Sequence, residues 1–493
     1  MQRPIAVQLA QFSNQNMLSR PGGVHSSVRG TTMHWRNKPL LRRDGDTRFK
    51  TGAEAANLLY EEAKRRDGNL PKFLCTFQST LRSIAPLFDR NPKYAWIAKQ
   101  LIEPERMVQF RVAWLDDTGV SRMNRGYRMQ YSSTLGPYHG SLNFNARVDS
   151  DFIKSQGFDA VLTNSISGLD IGAASGGADF NPKNKSDAEI QRFSQSFMTE
   201  LSKYIGPDID LPGPGLGVSA TEIGYMYGQY KRINSSVAGR GTGILWGGQM
   251  KWKAAPGFGV VYFAQAMLND KSDSLEGKRC VVTGSGMMAM SVAKKLCELG
   301  ATVLTLSDSS GYIYEQDGLD LSRLDTINKI KAERGARLGR YLMSSTTAKY
   351  DEPSEIFNVP CDLVFPCSGS EYAIDEKVAN KLADNNCMGV IEGGHMPSTP
   401  EAILAYKQRG MLHGPYKASL AAGGPIVNGA QMSVHEFANK EELDERLEAA
   451  AQRTFAKVKR TAMEFNARGD LHAGANMAGF LKVADVMSAH GAV

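Results

Sequence analysis

The chain has 493 residues, 42% hydrophobic and 22% charged, which is enough for two or three domains with full cores. No apolar run approaches the roughly 20 residues that span a bilayer. Six cysteines form no CxxC pair and no His/Cys cluster, which argues against zinc and for free, mostly buried thiols in a reducing compartment.

The net charge of +7 is local. Residues 1–43 hold Arg3, Arg20, Arg29, Arg36, Lys38, Arg42 and Arg43 and no acid, and the rest of the chain balances at 51 basic and 51 acidic residues. Residues 1–51 therefore read as a basic N-terminal extension. Rich in Ser, Gln and Asn, the segment suits a mitochondrial transit peptide. It equally suits a basic arm that lies on RNA, anionic lipid or a partner protein, or a solvated tail. Mitochondria are the expected compartment, with the cytoplasm as the alternative.

From residue 52 the periodicity predicts two helices, "GAEAANLLYEEAKRR" and "KFLCTFQSTLRSIAPLF". "ERMVQFRVAWLDDTG" predicts a strand running into a turn, and the alternation of "GSLNFNARV" predicts a second strand. "GLDIGAASGGADFNP", residues 168–182, reads as a cramped glycine loop shaped around a small ligand. "SDAEIQRFSQSFMTELSKYIG" predicts a helix opened by Ser186, with Glu189 at capping-box spacing. A Pro/Gly-rich loop, "PDIDLPGPGLGV", and a helix, "SATEIGYMYGQYKRI", follow.

Near residue 236 the texture changes. "CVVTG", "TVLTLSD", "DLVFPCSG" and "MGVIEGG" are short buried strands separated by helical stretches, the pattern of a parallel, doubly wound sheet. "NMAGFLKVADVM" predicts an amphipathic C-terminal helix. After "CVVTG" come Gly284, Ser285, Gly286 and Ala289, a GxGxxA turn opening a helix. Its first glycine permits the tight turn, and its second lets the backbone approach a pyrophosphate. Asp308, about 24 residues on at the next strand end, suits a ribose hydroxyl. These five residues predict a dinucleotide site, for NAD or NADP.

From about residue 52 to the C-terminus the chain resembles the hexameric glutamate dehydrogenases. "FRVAWLDDTGVSRMNRGYRMQYSSTLGPYHGSLNF", "GGADFNPKNKSDAEIQRFSQSFMTELSKYIGPDIDLP", "EIGYMYGQYKRI" and "GANMAGFLKVADVM" carry the likeness. It implies a two-domain α/β fold: a substrate and oligomerisation domain over 52–235, completed by 466–493, and a Rossmann-like domain over 236–465. It also implies a homohexamer and reversible oxidative deamination of glutamate.

The working positions depart from the family. His139, in "GPYHGS", stands where the family has a lysine for a substrate carboxylate, and Thr163 where it has another lysine. Ser175, in "GAASGG", takes the place of the catalytic lysine, and Gly215, in "PGPGLGV", that of the catalytic aspartate. Asn428 corresponds to a serine that helps hold the substrate side chain. On the cofactor side Met287 and His395 replace asparagines, and "CSGSE" (Cys367–Glu371) is one residue short. His395 and His139 are expected to be filler or surface contacts.

Losing a positioned acid/base costs about 10²–10⁴ in rate, so a deficit of roughly 10⁴, about 5 kcal/mol of barrier, is expected. No catalytic residue remains by this reading, and the expected role is a non-catalytic structural or regulatory subunit of a larger assembly. Two alternatives stay open: an NAD(P)-dependent amino-acid dehydrogenase with altered substrate, and a ribonucleoprotein component using the basic arm.

Overall fold

The computed structural model describes residues 49–206, 208–234, 253–333, 335–426 and 439–491. The basic segment 1–43 and Asn428 lie outside the described residues. Among the described residues no helix is long and apolar enough to cross a membrane, and no group of three or more His, Cys, Asp or Glu side chains could hold a metal. Of the six cysteines, all free, Cys280, Cys361, Cys367 and Cys387 are buried and Cys75 and Cys297 are half-buried.

Three helices, Gly52–Arg66, Pro71–Arg90 and Lys93–Gln100, lead into a five-stranded sheet. Its strands are β1 (Arg106–Leu115), β2 (Ser121–Ser132), β3 (Tyr138–Phe144), β4 (Ala173–Ala178) and β5 (Asp210–Gly213), in the order β1-β2-β4-β3-β5. β1 and β2 pair antiparallel, as do β2 and β4, while β3 runs parallel to β4 and β5. Helix Asp187–Leu201 covers one face through an aromatic cluster in which Phe180 and Phe193 stack at 3.7 Å. Its capping box forms as the spacing predicts: Glu189 N donates to Ser186 Oγ at 3.1 Å, and Ser186 N to Glu189 Oε2 at 3.2 Å.

Three local expectations are corrected. The stretch 168–182 is not one loop: its centre is β4, inside the sheet and buried at all six positions, and it contributes Ala174, Ser175, Asn181 and Pro182 to the wall of a cleft. Its glycines admit neighbouring backbone: Gly177 has φ +147°, and a Cβ there would lie 2.0 Å from the Asn143 carbonyl oxygen. The twelve-residue β2 was not read from the pattern, because seven consecutive positions at its end are buried and show no alternation. The Pro/Gly-rich loop at 207–218 contains β5, the edge of the sheet.

The second sheet has seven strands: β6 (Arg279–Thr283), β7 (Thr302–Asp308), β8 (Gly311–Leu319), β9 (Lys349–Asp351), β10 (Leu363–Pro366), β11 (Gly389–Ile391) and β12 (Leu412–Gly414). Their order is β12-β11-β10-β6-β7-β8-β9. β12 through β7 are parallel as expected, but β8 and β9 turn back antiparallel and finish the sheet as hairpin strands. Helices Ala255–Asn269 and Lys440–Glu464 pack together in the core on this side. The C-terminal helix Leu471–His490 returns to the first domain, where Ser165 Oγ donates to Gly479 O at 2.8 Å and Phe480 meets Phe88 edge-on. It is buried on most sides, so the single apolar stripe expected of it is absent.

Candidate functional site at the domain cleft

A cleft of about 1280 Å³ runs between the two sheets. It is lined at one end by His139, Thr163, Ser175 and Gly215 and at the other by Gly284, Ser285, Gly286 and Asp308. The structure thus gathers eight of the ten sequence-derived site residues along one wall-to-wall channel. Ala289 is fully buried in helix Met287–Glu298, which the glycine turn opens.

At the nucleotide end the backbone is shaped for an anion. Gly284 has φ +94°, and its turn is bolted to β7: Gly284 N donates to Ser307 Oγ at 2.7 Å and Ser307 N to Gly284 O at 3.0 Å. Gly286 opens the helix with no side-chain cap, and a Cβ there would meet nothing within 4 Å. That leaves the first helical N–H groups and the positive helix end free for phosphate oxygens. The residues present therefore fit the pyrophosphate of a dinucleotide.

Asp308 is already engaged by its own chain. Its carboxylate accepts from Ser310 N and Leu338 N, both at 2.8 Å, and Lys331 Nζ lies 3.5 Å away. Burial pushes its pKa up, but the Ser310 and Leu338 bonds outweigh that and hold it below the ordinary value. Arg337 Nη1 donates to Ser309 Oγ at 2.8 Å. Ser309, Lys331 and Arg337 all line the cleft beside Asp308. Sequence reasoning missed this trio, which joins Ser309 next to Asp308, Lys331 in the last turn of helix Leu321–Ala332 and Arg337 beyond that helix.

The substrate end is closed on itself. His139, on β3, is 5% exposed, and its Nδ1 lies 2.8 Å from Leu211 O. Burial is the main cause that drives its pKa down to about 4, so the ring is neutral at pH 7. Ser175 is buried on β4, and its Oγ donates to Ile153 O at 2.6 Å. Gly215 has no room for a side chain: a Cβ would lie 2.5 Å from Leu142 O and 2.7 Å from Asn143 Oδ1. Thr163 faces the cleft from helix Ser150–Ser167. Beneath this end Arg128 and Asp210 form a fully buried pair, with Arg128 Nε donating to Asp210 Oδ2 at 2.9 Å.

Between the two ends lies a charge network that local sequence could not reveal. His395 is not filler: its Nε2 lies 2.8 Å from Asp159 Oδ2, across the domain boundary. Tyr416 Oη donates to the same oxygen at 2.6 Å, and Lys417 Nζ lies 3.0 Å from Oδ1. Lys72 Nζ meets Glu371 Oε2 at 3.0 Å, with Glu371 Oε1 3.8 Å from His395 Nδ1. Burial lowers the His395 pKa, but Asp159 and Glu371 together raise it to about 9, so the ring is cationic at pH 7. Lys417 is no substitute for a catalytic lysine. Its ammonium donates to Thr80 Oγ1 at 3.1 Å and Asn476 Oδ1 at 2.9 Å and is ion-paired with Asp159 Oδ1 at 3.0 Å.

Comparison with known proteins gives one answer over most of the chain. Residues 247–491 match the model for Glutamate/Leucine/Phenylalanine/Valine dehydrogenase, and residues 104–232 match that for the Glu/Leu/Phe/Val dehydrogenase dimerisation domain. The NADP-specific glutamate dehydrogenase of Giardia intestinalis is 39% identical over 90% of this chain and 100% of its own length. That of Chlorella sorokiniana is 41% identical over 88% of this chain and 84% of its own. The crystal structure of Plasmodium falciparum glutamate dehydrogenase aligns with a TM-score of 0.83 at 40% identity, covering 90% of this chain and 96% of that one.

Proposed function

The chain belongs to the Glu/Leu/Phe/Val dehydrogenase family, and we propose that within it this protein is a non-catalytic member that keeps an NADP site and has lost glutamate oxidation. The observation that carries the reading is the packing at Gly215 and Ser175. The place of the family's catalytic aspartate is filled to 2.5 Å by the Leu142 carbonyl, and the hydroxyl in place of the lysine is bonded into helix Ser150–Ser167. A neutral His139 offers a substrate carboxylate no charge. Desolvating that carboxylate without a cation is costly.

NADP rather than NAD is supported by Lys331, Arg337 and Ser309. Two cations and a hydroxyl beside an acid that is already satisfied suit a 2′-phosphate better than a ribose hydroxyl. Relatives whose names specify NADP agree with this choice.

The role that remains is structural or regulatory, as a subunit of an oligomer. β1 is a ten-residue edge strand within the matched dimerisation segment, and Met107, Leu115 and Met123 stand exposed on its hairpin. Such an edge favours pairing with another chain.

The test is glutamate-dependent NADPH formation by the purified protein beside an active relative. The expected rate is at least about 10⁴-fold lower. A rate within about tenfold of the relative, roughly 1.4 kcal/mol of barrier, would end the proposal.

A further inference from the structure

β10 and β11 are neighbours in the second sheet and run parallel, with Leu363 paired to Gly389 and Val364 to Val390. Met388 N donates to Asp362 O at 2.8 Å, which carries the pairing below the ladder. Two cysteines stand just beyond that bond. Cys361 and Cys387 each lie two positions before the first ladder pair. Adjacent strands are about 4.7–4.9 Å apart, and a disulfide needs Cα atoms roughly 4.4–6.8 Å apart. The register therefore sets the two backbones within bridging reach.

The side chains converge as well. Both belong to one buried cluster with Ile356, Val364, Val390 and Tyr406, Cys361 at 8% and Cys387 at 5% exposure. Cys387 Sγ lies 3.5 Å from Asp362 O, beside Cys361, and the two thiols are hydrogen-bonded to each other. Neither is in a disulfide. A single buried cysteine is a small hydrophobe, but two in contact make a dithiol.

The pair is also polarised. The bond from Cys361 lowers the Cys387 pKa against the opposing effect of burial, while the same bond, with burial, raises that of Cys361. Cys387 is thus the member that becomes a thiolate, the form that attacks an oxidant. Burial pushes the Cys280 and Cys367 thiols up, and it is the main cause that takes Cys297 to about 11.

We propose that Cys361 and Cys387 form an oxidant-responsive dithiol that closes to a disulfide and ties β10 to β11 at their amino ends. The oxidant class is a hydroperoxide, with hydrogen peroxide small enough for so covered a site. The Cys387 thiolate attacks one peroxide oxygen, the O–O bond breaks, and hydroxide leaves to take up the proton that Cys387 released. Cys387 is then a sulfenic acid, which condenses with a neighbouring thiol. The Cys361 sulfur attacks the Cys387 sulfur, the S–O bond breaks, and the oxygen leaves as water with the thiol proton. Two thiols and one hydrogen peroxide give one disulfide and two waters, with two electrons passing from sulfur to oxygen. The new bond closes the segment 361–387, which carries the cleft-lining residues Cys367–Glu371 and helix Glu376–Asp384. The inference is independent of what the cleft holds and of whether it turns anything over.

The test treats the reduced, folded full chain with a small excess of hydrogen peroxide, then alkylates the remaining thiols and maps the peptides. The expected result is a loss of about 2 Da, a linked Cys361–Cys387 peptide pair, and reversal by dithiothreitol. The proposal fails if all six thiols stay open to alkylation once the treated chain is unfolded. It fails equally if the link joins other cysteines, or if Cys387 is over-oxidised without a link.

Two variants assign the roles. Cys361→Ala should stop at a sulfenic acid on Cys387 that dimedone traps, whereas Cys387→Ala should leave Cys361 unmodified over the same time. Equal labelling in the two would remove Cys387 as the attacking thiol. The wild-type peptide map stands whether or not either variant folds. In the wild type the oxidised form should also show a higher urea midpoint than the reduced form, because the bond constrains the unfolded chain. A lower midpoint would mean that the disulfide forms only by distorting the sheet, and would overturn the proposal.

Discussion

At the Gly286 end of the cleft a helix N-terminus, two cations and a hydroxyl face the channel, while at the Ser175 end the polar groups are bonded back into the protein. Their scaffolds differ: the nucleotide end sits at the carboxyl ends of the parallel strands β6 and β7, while the substrate end draws on a mixed sheet, with His139 near the start of β3 and Ser175 inside β4. They differ also in where hydrogen-bonding capacity is spent. A binding site leaves donors unspent until the ligand arrives, and a structural site spends them at folding. On that criterion the uncapped helix N-terminus at Gly286 is the feature left open for a ligand, whereas Ser175 and His139 line the cleft with their polar atoms bonded to backbone carbonyls.

If the polar groups at the substrate end now serve the fold, disturbing them should cost stability before anything else. Arg128→Met leaves Asp210 charged in a fully buried place, with Gln130 as a remaining donor at 2.9 Å. The expected loss is about 3–5 kcal/mol in urea unfolding, the usual cost of stranding one member of a buried pair. A loss below about 1 kcal/mol would mean that water reaches the pair.

The second disturbance is pH, and the two histidines act in opposite directions. His395 has its pKa raised from 6.5 to about 9, so its contribution is complete below about 6.5 and is lost as pH climbs through 9. The full amount is on the order of 3 kcal/mol. His139 has its pKa lowered to about 4 by burial, so its contribution is present above 6.5 and is lost as pH falls towards 4. Stability should therefore fall on both sides of neutrality. In His395→Ala the alkaline fall should flatten while the acid fall persists. An alkaline limb unchanged in that variant would show that the domain-spanning pair contributes nothing.

Much of the fold and of the nucleotide end was legible because their signals are local. Ser186 and Glu189 are three residues apart, and the Gly284–Gly286 turn follows its own strand directly. The rest was not local. β4 is made of Ala, Gly and Ser, which favour no strand; it is a strand because β2 and β3 flank it on both sides. His395 finds Asp159 at a separation of 236 residues, so nothing near either residue announces the pair. The replacements at 139, 175 and 215 could be read from the resemblance. What fills the vacated space could not.

The nucleotide end offers a smaller and more selective change. Lys331→Ala removes a cation 3.5 Å from Asp308 and leaves that acid's charge facing the cleft. Affinity for NADP⁺ should drop about tenfold, or 1.4 kcal/mol, while affinity for NAD⁺ stays the same. Equal losses for both cofactors would place Lys331 at the pyrophosphate and not at the 2′-phosphate.

Ser175→Ala is the smallest change and bears directly on the contrast between the two ends. In a working site a substitution at the catalytic lysine's position would abolish turnover. Here the hydroxyl only donates to the Ile153 carbonyl at 2.6 Å, in the first turn of helix Ser150–Ser167, and that carbonyl keeps its place in the helical ladder. The acceptor is not orphaned, so the loss should be the net worth of one neutral hydrogen bond, about 1 kcal/mol in urea unfolding. The methyl group of alanine fits where the Cβ already sits, and no cavity larger than one oxygen opens. Affinity for NADP⁺ should not move, because Ser175 points into a helix and away from the nucleotide. A change in that affinity would mean that Ser175 still speaks to the contents of the cleft, and that its hydroxyl is not committed to the Ile153 carbonyl.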